Sequence, residues 1–176
     1  MNNIIIIVGL ERSGTSYITK CIEEAGIPMR LDNMGGSWED KEIFTLNRTM
    51  NTHDFIPRLT EYKRKANQRK DYGFKDPLII FNVEKYFEVF PEAKYICCIR
   101  NPISASKSMI EKIGIGLDYY TALLRYTAQL ARVNKRFHLF NYDGNIKEEE
   151  QKLSSIIGRK INLSDGWKIN YINSGG

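Results

Sequence analysis

Residues 3–26, NIIIIVGLERSGTSYITKCIEEAG, decide how the rest of the chain is read. The run IIIIV at 4–8 is continuously apolar and β-branched, which predicts a strand over residues 3–8 buried on both faces, as in the middle of a parallel sheet. A glycine-bounded loop follows. Tyr17, Ile18, Cys21, Ile22 and Ala25 then recur at helical spacing, and Gly26 supplies a stop signal, so a helix is expected over 13–26. The unit is strand, glycine loop, helix.

Working outward, the same grammar repeats. YGFK at 72–75 reads as a second strand, followed by DPLIIFNVEKYFEVF, in which Asp76 caps a helix and Pro77 takes its first position. KYICCI at 94–99 reads as a third strand, after which Asn101 caps and Pro102 opens another helix. A long helix is expected over 117–135, a fourth strand in RFHLFNYD at 136–143, and a helix near 147–157. Between the first two strands, 36–52 reads as a helix with Ser37 as its cap and acidic residues in its first turn, and 57–71 as a basic, polar stretch that is helical at best. Strands alternating with helices imply an α/β fold: a doubly wound, mainly parallel sheet with helices on both faces and ligands at the carboxyl ends of its strands. The 176 residues suit one domain spanning 1–176.

Composition narrows the classes. Hydrophobic residues at 42% and charged residues at 27% are ordinary for a soluble globular protein and argue against disorder. No stretch approaches the ~20 apolar residues of a membrane-spanning helix, and the first apolar run is too short for a signal peptide. The net charge of +5 favours an anionic ligand. Cys21, Cys97 and Cys98 make no disulfide framework and read as buried free thiols in a reducing cytoplasm. No Cys/His cluster has metal-ligand spacing.

GLERSGTSY, residues 9–17, has most of the phosphate-binding pattern G-x-x-x-x-G-K-[ST]: Gly9, Gly14 and Ser16 fit, while Thr15 stands where the lysine belongs. Unpaired N–H groups and the helix dipole at the start of the next helix favour phosphate. That lysine would reach the outer phosphates of a triphosphate; threonine cannot, and Arg12 instead brings a guanidinium to the mouth of the loop. A short, doubly charged group suits such a loop better than a triphosphate chain.

The loop RSGTS, the segment KDPLIIFNVEKYFEVFPEAKYICCIRNPISASKSMI and the spacing between them resemble the sulfotransferase family, most closely tyrosylprotein sulfotransferases and their bacterial relatives, over residues 4–140. The resemblance implies 3′-phosphoadenosine 5′-phosphosulfate (PAPS) as sulfuryl donor, 3′-phosphoadenosine 5′-phosphate (PAP) as product, no metal, and a hydroxyl-bearing acceptor: carbohydrate, small molecule or peptide tyrosine. It implies that Arg12, Ser13, Gly14, Thr15, Ser16 and Tyr17 hold the 5′-phosphosulfate, and that Arg100 with Ser108 holds the 3′-phosphate. Ser104 and Ser108 share a helix face; Ser106 points elsewhere. Lys75, in KDP, would face the sulfuryl bridge. Fixed cations such as Arg12 and Lys75 stabilise the charge that grows as the sulfuryl group leaves its phosphate oxygen.

An acceptor hydroxyl needs a base. In GGSWEDKEIF, residues 35–44, Glu39 is the choice by resemblance, with Asp40 and His53 as alternatives; bacterial members also carry an asparagine like Asn47 further on. RLTEYKRKANQRK at 58–70 could hold an acidic acceptor or nucleic acid, although a solvated helix face is the plainer reading and no nucleic-acid partner is expected. RKINLSDGWK is similar to a donor-binding segment of the cytosolic enzymes through Arg159, Lys160, Gly166, Trp167 and Lys168. Trp38, Trp167, Tyr119 and other tyrosines are all open as adenine platforms. Two rival readings stand beside the sulfotransferase. One is a P-loop kinase or nucleotide triphosphatase, for which Asp143 after the fourth strand would help hold Mg²⁺. The other is an inactive module that keeps only the nucleotide pocket.

Overall fold

The computed structural model describes residues 3–30, 38–49, 53–113 and 117–163. Four strands, β1 (Asn3–Val8), β2 (Asp71–Lys75), β3 (Lys94–Ile99) and β4 (Phe137–Asn141), form one sheet in the order β2-β1-β3-β4. All three pairings are parallel, with Ile5 opposite both Gly73 and Lys94, and Tyr95 opposite Phe137. The isoleucine run thus lies between two strands, and Ile4 to Val8 are at most 2% exposed.

Alternation along β1 divides the core. Ile5 and Ile7 pack with Tyr17, Ile18 and Ile22 of α1 (Thr15–Glu24) and with Leu153 and Ile157 of α7 (Ile146–Ile157). Ile4, Ile6 and Val8 face the opposite layer. That layer contains α2 (Lys41–Arg48), α3 (Phe55–Ala66), α4 (Val83–Val89), α5 (Pro102–Ile113) and α6 (Leu117–Val133). Helices therefore cover both faces of a doubly wound parallel sheet. From β1 the chain steps outward to β2, then returns past β1 to β3 and onward to β4. The reversal lies between β1 and β3, where a crevice opens at the carboxyl ends of the strands.

Three local expectations change. The helix expected over 36–52 spans Lys41–Arg48, because Asp40, not Ser37, caps it: its carboxylate accepts from the Glu42 and Ile43 N–H groups at 3.0 and 3.2 Å. Ser37 lies outside the described residues, and Glu39 precedes the helix instead of occupying its first turn. The helix after β2 is broken: Asp76 caps a 3₁₀ turn at Pro77–Phe81 by accepting from Leu78 N at 2.7 Å, and α4 begins only after Asn82. The basic stretch is properly helical as α3, with Leu59 and Tyr62 buried. Asn101 caps α5 as expected, accepting from Ile103 and Ser104 N–H.

Candidate functional site

All four strands end close to the glycine loop: β1 leads into it, β2 ends in Lys75, which bonds Ser16, Arg100 follows β3 and bonds the Arg12 carbonyl, and Tyr142 and Asp143 follow β4. Glycine is required twice in the loop. Gly9 has φ +136, and a Cβ there would lie 2.6 Å from the carbonyl oxygen of Cys98 as β1 passes β3. Gly14 has φ +95, and its Cβ would lie 2.2 Å from the Tyr142 ring. With no room for side chains at either position, the backbone approaches its surroundings closely, as an anion cradle needs.

Arg12 adopts the left-handed region with φ +63, a strained choice for a side-chain-bearing residue. Its neighbours hold it there. The Ser13 N–H and hydroxyl both donate to the Leu10 carbonyl, at 3.2 and 2.5 Å, so this serine braces the loop from inside. Arg12 Nε donates to Ser108 Oγ at 2.8 Å, across 96 residues. Arg100 Nη1 donates to the Arg12 carbonyl at 3.1 Å, with its guanidinium 4.8 Å from the Tyr142 ring centre. Arg100 Nε is buried without a hydrogen-bond partner and lies 3.8 Å from Asp143 Oδ1. Arg12, Gly14, Thr15, Ser16, Tyr17, Arg100 and Tyr142 line one cleft. Of the residues expected at the two phosphates, Arg12, Gly14, Thr15, Ser16, Tyr17 and Arg100 share this cleft, while Ser13 is turned inward and Ser108 meets the site through Arg12; Tyr17 meets Tyr142 edge-on with centroids 5.8 Å apart.

Lys75 joins the loop to a carboxylate. Its Nζ donates to Ser16 Oγ at 2.9 Å and to Glu39 Oε1 at 3.0 Å, and Lys75 and Glu39 are only 3% and 8% exposed. Burial lowers the lysine pKa below its ordinary value, against the opposing pull of Glu39, Asp76 and Glu11. Trp38, immediately before Glu39, also has positive φ, so the loop and the carboxylate are each carried on strained backbone. Asp76 has its pKa raised by burial despite the Arg48 Nη1 bond at 2.5 Å.

The other candidate bases stand apart. Asp40 is committed to capping α2 and accepts from Tyr62 OH at 3.1 Å. His53 is exposed in the turn before α3. Asn47 is buried, accepting from Tyr86 OH at 3.0 Å, while its Nδ2 has no hydrogen-bond partner. The basic face of α3 is locally neutralised: Lys63 pairs with Glu92, Arg64 with Glu61 and Lys65 with Glu42. Arg159 lies at the opposite end of the sheet, donating to the Ala25 and Gly26 carbonyls and to Asp71 at the start of β2, so the donor-segment expectation fails for it. Gly166, Trp167 and Lys168 fall outside the described residues. Ser106 bonds Thr121 of α6 at 2.8 Å, consistent with its facing away from Ser108. Asp143 Oδ2 accepts from Asn101 N at 2.6 Å, which sets the start of α5 beside Arg100. Tyr142 was not singled out among the tyrosines left open as adenine platforms, although its place just past a strand end was a usable signal. Among the described residues no helix is long and apolar enough to cross a membrane, and no three His, Cys, Asp or Glu side chains gather as a metal-binding group.

A family model described as "Sulfotransferase family" matches residues 37–159. Among solved structures, the fold is similar to the sulfotransferase STF1 from Mycobacterium tuberculosis H37Rv (TM-score 0.56, 14% identity, covering 100% of this chain and 72% of that one). It is similar to the sulfotransferase domain of the Synechococcus PCC 7002 olefin synthase (TM-score 0.54, 17% identity, 94% and 76% covered). A shikimate kinase from Bacteroides thetaiotaomicron shares the fold equally well (TM-score 0.56, 11% identity, 89% and 98% covered), so architecture alone does not separate the two chemistries. No curated protein matches the sequence.

Proposed function

The chain belongs to the sulfotransferase family, and on that premise we propose that it transfers a sulfuryl group from PAPS to an acceptor hydroxyl. The observation that carries this reading is the Lys75 ammonium, held between Ser16 of the glycine loop and the Glu39 carboxylate. One buried cation thereby links an anion cradle to a proton acceptor.

In this reading the N–H groups at the start of α1, with Thr15, Ser16 and the Arg12 guanidinium, receive the 5′ end of the donor. Arg100 and Ser108 hold the 3′-phosphate, and Ser108 releases Arg12 as it does so. Tyr142 and Tyr17 form the aromatic wall of the same cleft. Lys75 lies where the bond from sulfur to the 5′-phosphate oxygen breaks and neutralises the charge left on that oxygen. Glu39 takes the proton of the acceptor hydroxyl as the new oxygen–sulfur bond forms. Carbohydrate, small-molecule and peptide-tyrosine acceptors all present such a hydroxyl.

Thr15, in place of the cation a triphosphate needs, weighs against a kinase, as does the engagement of Asp143 with Asn101 and Arg100. Thermal melting separates the readings, since a ligand that binds only the native state raises the midpoint. PAP is expected to stabilise the protein, ATP with Mg²⁺ is not, and Arg100→Ala is expected to abolish the PAP shift. A shift with ATP and Mg²⁺ alone would refute the proposal and favour phosphoryl transfer. Binding of PAP without turnover of PAPS on any acceptor class would favour an inactive nucleotide-binding module.

A further inference from the structure

The left-handed Arg12 is gripped from a third direction. Tyr120, in the first turns of α6, is 5% exposed and sends its hydroxyl to the carbonyl oxygen of Glu11, the residue immediately before Arg12. Burial and the nearby Glu11 raise the phenol pKa well above its ordinary value, so the group remains an O–H donor. The carbonyls of Glu11 and Arg12 are therefore both engaged, by Tyr120 and Arg100. A peptide unit is planar, so fixing its carbonyl fixes the N–H on its opposite side. The unit whose oxygen belongs to Glu11 carries the N–H of Arg12, while the Ser13 N–H, on the next unit, is already tied to the Leu10 carbonyl. The same helical pair supplies Ser108 to the Arg12 side chain, and the Ser106–Thr121 bond joins α5 to α6 beside Tyr120.

We infer that Tyr120 is a positioning residue for the 5′ end of the donor: from α6 it pins the Glu11 carbonyl and keeps the strained loop in its anion-binding shape. This rests on the proposed PAPS site. Tyr120 does not itself line the cleft, and its hydroxyl reaches the loop through the Glu11 backbone. Tyr120→Phe keeps the buried ring and removes only the hydroxyl, leaving the Glu11 carbonyl free to reorient.

The test is calorimetric titration of the wild type and Tyr120→Phe with PAP and with adenosine 3′-monophosphate, which lacks the 5′ group. Loss of one hydrogen bond predicts about five- to tenfold weaker PAP binding. Affinity for the 3′-monophosphate is expected to stay within about twofold, because Arg100 and Ser108 are untouched. Equal losses for both ligands would mean a general loosening of the fold and would overturn the inference. Unchanged PAP affinity in the variant would overturn it alone, leaving the donor site intact. A wild type that binds neither nucleotide would overturn the donor-site reading and this inference with it.

Discussion

Replacing Lys75 with methionine removes the charge from the most buried ion pair of the site and leaves Glu39, 8% exposed, without its cation. At the 3.0 Å separation the attraction is ~5 kcal/mol for an effective dielectric near 20. Several kcal/mol of desolvation per ion oppose it, so the intact pair contributes close to nothing net. The single variant loses the attraction and keeps the desolvation of the carboxylate, which predicts a loss of ~3–5 kcal/mol. Against a total stability of ~5–15 kcal/mol, that is a large fraction. Lys75→Met with Glu39→Gln removes both charges and is expected to return to within ~1 kcal/mol of the wild type, while both variants are expected to lose the proposed sulfuryl transfer. Urea denaturation at neutral pH of the wild type, the two single variants and the double variant measures the coupling. A Lys75→Met protein within ~1 kcal/mol of wild type, or a double variant no more stable than Lys75→Met, would refute the reasoning.

Two further outcomes follow from the packing. Gly14→Ala places a Cβ 2.2 Å from the Tyr142 ring at φ +95, so it is expected to destabilise by ~2 kcal/mol and to abolish the PAP-induced rise in melting temperature; an unaltered rise would show that the loop tolerates the side chain. Burial raises Cys21 and Cys97 from 9.0 to about 12 and Cys98 well above its ordinary value, so the folded protein keeps thiol protons that the unfolded chain releases. Stability then falls as pH rises through 9 toward 12; the raised phenols of Tyr62, Tyr72, Tyr86, Tyr95 and Tyr120 act in the same sense and the depressed Lys75 in the opposite one. A urea midpoint lower at about pH 10 than at about pH 8, with reductant present, is the expected result, and a flat profile would count against buried protonated thiols and phenols.

Much of the fold was legible because its signals are local. A β-branched run, a glycine loop and helical periodicity identify the β1–α1 unit. Asp76 with Pro77, and Asn101 with Pro102, announce their helix starts through side chains that reach only two or three residues along the chain. The error at α2 has the same origin. Serine and aspartate cap equally well in sequence, and the choice fell to Asp40, which also receives the Tyr62 hydroxyl from α3.

By itself the sequence determined the strands, the glycine loop, and which cations and carboxylates were available to a phosphate-binding site, because those properties reside in single residues and short spacings. Only the tertiary structure decided which of them meet. It brought Lys75 to Glu39 and Ser16, turned Asp40 inward as a cap, sent Arg159 to the far end of the sheet, and recruited Tyr120 and Tyr142 to the loop. These contacts join residues up to 134 positions apart. They exist because parallel crossovers carry every strand's carboxyl end to the same edge, a result of chain topology that no local spacing encodes.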